Sequence, residues 1–131
     1  MPFTYEPRVQ PITLATEDPQ PGEMATVTGW GFTIPDEFSQ STELQAVAVP
    51  IVDFQECQVG YAGILTRNML CAGFDAGKGI CTSDSGGPLV VEGKLVGVVS
   101  FSIGCGENET PAVYADIAEL RNFVVSNTDI E

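Results

Sequence analysis

The sequence predicts an all-β domain, a barrel or a sandwich of short strands, followed by one short C-terminal helix. Three observations predict it. Short apolar runs of β type recur from residue 24 to residue 117, separated by polar or glycine-bearing turns. Two of these runs, in PLVVEGKLVGVVSF at 88–101, meet at Glu92-Gly93, a hairpin junction. Beyond residue 116 the period changes: Ile117, Leu120, Phe123 and Val124 recur at three- and four-residue spacing, the pattern of a helix face.

The elements follow in order. Residues 1–22 are rich in Pro, Thr and Glu, lack periodicity and read as an extended linker; the barrel is expected over 23–131. MATVTGWGF (24–32) is a β-type run ending in Gly29, Trp30 and Gly31. IPDEFSQS (34–41) is a polar surface loop. ELQAVAVPIV (43–52) alternates and then turns apolar, as a strand does. DFQECQVGYAGILTRN (53–68) has room for a short helical turn, and MLCAGF (69–74) for a short strand. The hairpin at 88–101 precedes a strand in PAVYADI (111–117). Asp116 is placed to cap the helix, expected over about 116–126.

Bulk composition narrows the classes. The chain has 131 residues, the size of one small domain, with 44% hydrophobic and 18% charged residues, a globular balance. A formal net charge of −13 argues against nucleic acid and anionic membrane surfaces as partners. No apolar run approaches the roughly 20 residues of a membrane span. The start, MPFTYEPRVQPI, lacks the basic and apolar regions of a secretory signal. Yet Cys57, Cys71, Cys81 and Cys105 contain no C-x-x-C pair, and no histidine completes a mixed zinc site. Two disulfides are favoured over a four-cysteine zinc site, which places the chain in an oxidising compartment. Four cysteines allow three pairings, and spacing does not choose among them. Secretion without a leader is explained economically if the natural N-terminus lies upstream.

Some candidate sites fall away. GFDAGKG (73–79) lacks phosphate-loop spacing, and Lys78 is followed by Gly79 rather than Ser or Thr. Asp36 with Glu37, and Glu107 with Glu109, are too few for a calcium loop. No metal and no cofactor is expected. Asn108-Glu109-Thr110 matches the N-glycosylation acceptor, with Pro111 after it lowering its use.

GICTSDSGGPL (79–89) is different. Ser85 follows Asp84 and precedes two glycines and a proline, an arrangement that holds one hydroxyl out on a tight turn. A serine so placed needs a base, and the chain has no histidine. With VTGWG (27–31), MLCAGF (69–74), C-x-x-D-S-G-G-P-L (81–89), VGVVSF (96–101) and PAVYADI (111–117) in this order, the sequence resembles the trypsin/chymotrypsin family of serine endopeptidases.

The resemblance covers the second half of that family's catalytic domain, which is built from two antiparallel Greek-key β-barrels with the site between them. It implies that the histidine and its orienting aspartate lie in a first barrel not included here, a partner in cis or in trans. It implies Ser85 as nucleophile and the backbone N–H groups of Ser83 and Ser85 as the oxyanion hole. Asp84 matches the acid that pairs with the N-terminal ammonium freed on activation. The family's pairing would join Cys57 to Cys71 and Cys81 to Cys105. Ser100–Ser102 matches the wall on which the polypeptide substrate pairs as an added strand. Gly79 stands where trypsins carry a selective aspartate, Ser102 and Ala112 where wide pockets carry glycine, and Phe101 where tryptophan is usual. These imply small to medium apolar side chains before the scissile bond and a secreted, extracellular protein.

Ser83 departs from the family pattern, which has glycine there; a Cβ at that position disfavours the backbone shape that aims its N–H at the oxyanion. With no histidine and no activating N-terminus, the isolated chain is expected to be inactive. Three readings follow: half of a secreted endopeptidase, a non-catalytic homologue that binds a peptide or inhibitor, or a half-protein that pairs with a separately made first barrel.

Overall fold

The computed structural model describes residues 3–31, 42–73, 84–103 and 110–129. The predicted loop at 34–41, Gly79, Ser83, Cys81, Cys105 and Asn108 lie outside these residues.

Alternation makes the strands and the ring closes them. In β2 (Met24–Gly29), Ala25 and Val27 point inward while Met24 and Thr26 face solvent. It pairs antiparallel with β3 (Gln45–Val52) from Met24↔Pro50 to Gly29↔Gln45. From there β3 pairs with β4 (Met69–Ala72), and β4 with β7 (Ala112–Asp116). In turn β7 pairs with β6 (Lys94–Phe101), β6 with β5 (Pro88–Val91), and β5 with β2. Among the described residues this is a closed, six-stranded antiparallel barrel, an arrangement that leaves no free edge in the ring. A short β1 (Thr13–Leu14), within the segment read as linker, adds in parallel to the outside of β6.

The interior is packed by Val27, Val49, Leu89, Val99 and Tyr114, with Val49, Leu89 and Tyr114 at 0% exposure. Strand period two splits β4 and β7 between two cores. Leu70 and Tyr114 face the barrel interior. Their neighbours Cys71 and Val113 face an outer cluster with Val52, Cys57, Tyr61 and Leu65. That outer cluster is closed by α1 (Phe54–Gly60) and by a disulfide from Cys57 to Cys71, worth about 3 kcal/mol on the chain-entropy account for a loop of this size.

The local chemistry explains the helices and turns. Asp53 caps α1 by accepting the Glu56 N–H at 3.2 Å. The helix stops at Tyr61, after which Ala62 and Gly63 take positive φ. The loop is held by the Gln58 side chain, which donates to the Leu65 carbonyl at 2.9 Å and accepts the Leu65 N–H at 3.1 Å. In the β5–β6 hairpin both Glu92 and Gly93 have positive φ, as a two-residue turn matching strand twist requires. The terminal α2 (Ile117–Ser126) starts at Asp116, which accepts the Glu119 N–H at 3.3 Å. Its apolar face is narrower than the sequence spacing suggests. Ile117 is buried and Leu120 and Val124 are half-buried, but Phe123 is 67% exposed.

Candidate active site

Antiparallel closure brings three strand ends together. The start of β5, the end of β6 and the start of β7 lie at one end of the barrel. Asp84 to Gly87 form a turn just before β5: the Gly87 N–H donates to the Asp84 carbonyl at 3.0 Å, and Ser85 and Gly86 occupy its centre. Gly86 takes φ +84°, a conformation that costs glycine little and residues with a Cβ much more. The turn is fixed to β6 from both sides of Val99. Its carbonyl accepts the Gly86 N–H at 2.9 Å, and its N–H donates to the Gly87 carbonyl at 2.9 Å. Ser85 is therefore exposed on a backbone that two strands hold.

Beneath it Asp84 is half-buried and points the other way, into the Gly29-Trp30-Gly31 segment at the end of β2. Its Oδ1 accepts the Gly31 N–H at 2.8 Å. The two glycines leave the room the carboxylate fills. A Cβ built on Gly29 would stand 2.0 Å from Asp84 Oδ1, and one on Gly31 would stand 2.4 Å from its Cγ. No side chain fits at either position while Asp84 stays where it is.

Next to the turn run the pocket candidates. Ser100 and Phe101 end β6, Ser102 follows half-buried, and Ala112 opens β7 at 7% exposure. The pairings Val99↔Tyr114 and Phe101↔Val113, across a register shift, put these strand ends side by side. The Phe101 ring, 36% exposed, meets the Tyr61 ring edge-on with centroids 5.7 Å apart. Tyr61 donates its hydroxyl to the Pro111 carbonyl at 2.5 Å, and burial pushes its phenol above the usual tyrosine range. The structure thus brings Ser85, Asp84, Ser100, Phe101, Ser102 and Ala112 to one end of the barrel.

Two contributors escaped the sequence reading. One is the pair of glycines around Trp30, quoted there only as a motif; their spacing around a large ring is the signal that was available. The other is Tyr114, whose ring fills the barrel while its buried hydroxyl has no hydrogen-bond partner among the described residues. Burial raises that phenol strongly, and the nearby Asp84 carboxylate and Tyr61 raise it further. Nothing in the sequence distinguishes it from a core tyrosine. Among the described residues no group of His, Cys, Asp and Glu is arranged to hold a metal ion, and no helix is long and apolar enough to cross a membrane.

Comparison with known proteins gives the architecture its family. The family model described as Trypsin matches residues 1–124. Trypsin-1 of Salmo salar is 40% identical over 126 residues, covering 95% of this chain and 52% of that protein. Trypsin eta of Drosophila melanogaster is 44% identical over 118 residues, covering 88% and 45%. Among solved structures, neuropsin, a serine protease expressed in the limbic system of mouse brain, shares the fold with a TM-score of 0.89 at 33% identity; the match covers 94% of this chain and 56% of that one. The chain spans about half the length of the curated relatives it matches. It belongs to the trypsin family of serine endopeptidases.

Proposed function

We propose that this chain is the nucleophile-bearing barrel of a secreted serine endopeptidase. The observation that carries the reading is the Asp84–Gly87 turn, with Ser85 exposed, Gly86 and Gly87 bonded into β6, and Asp84 docked on Gly31. A hydroxyl on a backbone this constrained is suited to attack a carbonyl that the neighbouring strand presents.

In this reading a polypeptide substrate pairs its main chain with Ser100–Ser102 as an added strand. Ser85 Oγ attacks the scissile carbonyl, and a base in the first barrel takes its proton. The N–H groups of Ser83 and Ser85 hold the oxyanion. The amine then leaves with that proton, and water hydrolyses the Ser85 ester. Because the 131 residues contain no histidine, the base comes from polypeptide outside them, and the barrel alone is inactive. Asp84 sets the shape of the oxyanion loop. Gly79, Ser102 and Ala112, with Phe101 on the wall, leave an uncharged and partly filled pocket that selects small to medium apolar side chains. The Cys57–Cys71 bridge supports an oxidising, extracellular setting, with a second bridge proposed from Cys81 to Cys105. No cofactor takes part.

A non-catalytic homologue that captures a peptide is the second reading, and Ser83 favours it. Fluorophosphonate labelling of the longest natural form separates the two. Rapid labelling that Ser85→Ala abolishes is the expected result. A natural form of roughly twice 13.9 kDa that folds but resists labelling establishes the binding reading instead.

A further inference from the structure

The end of the barrel away from Ser85 carries a pair of facing carboxyls that proteolysis does not use. Asp116 closes β7 and caps α2, at 2% exposure. Its N–H donates to the Asn68 carbonyl at 2.8 Å and its Oδ1 accepts from the Glu119 N–H. Across a groove of about 430 Å³ that both residues line, Asp18 reaches the Asp116 carboxyl from the segment between β1 and β2. Two carboxyl groups bond directly only when one of them carries a proton, because ionised carboxylates are acceptors alone.

We propose that Asp18 and Asp116 form a proton-dependent latch that holds the segment following β1 against the start of α2. The placement explains why a latch is needed. This segment is anchored at its ends, where the Ala15 N–H donates to the Leu95 carbonyl at 3.0 Å and the Gly22 N–H to the Ile51 carbonyl at 2.8 Å. Between them Pro19 and Pro21 have no N–H to offer, so the side chain of Asp18 provides the hold. Asp53 and Arg67, and Glu119 on α2, also line the groove. Those that act on the charge of Asp116 are Asp18 and Glu119, both acids. Burial first, then the Asp18 contact, pushes Asp116 up to about 7 from an ordinary 3.8.

The direction follows. Between the ordinary value and about 7 the folded state keeps a proton that the unfolded state has released. The folding equilibrium constant therefore falls by up to about tenfold for each pH unit in that interval. Above it the Asp116 carboxyl has lost the proton that the direct contact requires, and the latch opens. This inference stands apart from the proteolytic reading.

The test is an NMR titration of the aspartate carboxyl carbons in the full chain, with D116N and D18N. Asn keeps the helix cap, so D116N retains the fold. A carboxyl with a midpoint of about 7 is expected in the wild type, absent in D116N, and lowered in D18N without returning to 3.8, because burial remains. The protection of the Ala15 amide from exchange, referenced to its intrinsic rate, should fall through the same interval in the wild type and stay level in D116N. A wild-type Asp116 that titrates in the ordinary aspartate range overturns the latch even if neither variant folds. So does Ala15 protection that changes equally in wild type and D116N.

Discussion

Two aspartates sit at opposite ends of one barrel, and their surroundings are opposite in kind. Asp84 is half-buried against glycines and accepts a backbone N–H from Gly31. Asp116 is almost wholly buried and, besides its capping bond, meets a second acid. The first site is set by shape: two missing Cβ atoms make the space, the Asp84 carboxylate fills it, and the Gly31 N–H fixes it there. The second is set by charge, since the direct contact exists only while a proton is shared. Burial of a carboxylate therefore has no single consequence. Donors facing it stabilise its charge, and acids facing it make its charge the switch.

Four substitutions break or sharpen that comparison, from the largest expected effect to the smallest. Leu89→Ala strikes the interior both ends share. Leu89 is fully buried, so a loss of about 2–5 kcal/mol in urea unfolding is expected; a loss under 1 kcal/mol in a protein of unchanged fold contradicts the packing described. Gly31→Ala strikes only the shape-set end. Its new Cβ displaces Asp84, and the fluorophosphonate labelling rate of the longest natural form should fall roughly 100-fold, the scale of a lost oxyanion donor, at every pH. Labelling at the wild-type rate means that Asp84 does not shape the oxyanion loop.

Asp116→Asn strikes only the charge-set end. It should flatten the dependence of unfolding free energy on pH between about 4 and about 7 and leave labelling unchanged. A pH profile parallel to the wild type removes the contrast between the two aspartates. Asp53→Ala acts on the α1 cap; Asp53 lines the Asp116 groove but is not among the groups acting on the charge of Asp116. The substitution deletes the cap and should cost about 1 kcal/mol, with no change in labelling or in pH dependence. An effect on either readout shows that the outer cluster and the barrel ends are coupled.

Much of this was legible in the chain because it is local. The β-type run at Met24–Gly29, the Glu92-Gly93 turn and the Asp116 cap each depend on residues a few positions apart. Ser85 was legible as a motif, since the residues that shape its turn adjoin it. Phe123 shows the limit of periodicity. The spacing placed it on an apolar face, but spacing does not reveal how far the helix extends past the surface it packs on, and Phe123 is largely exposed.

The sequence by itself determined the strands from residue 24 onward, the start of the terminal helix, the exposed serine and the absence of a histidine base. Local backbone preference and side-chain period suffice for these, and a count of histidines needs no fold. Only the tertiary structure decided which groups meet: Asp84 with Gly31, 53 residues earlier, and Asp18 with Asp116. Ring closure of the barrel makes those meetings. The order in which β2, β5, β6 and β7 pair is a property of the whole chain, and no pattern within one segment carries it.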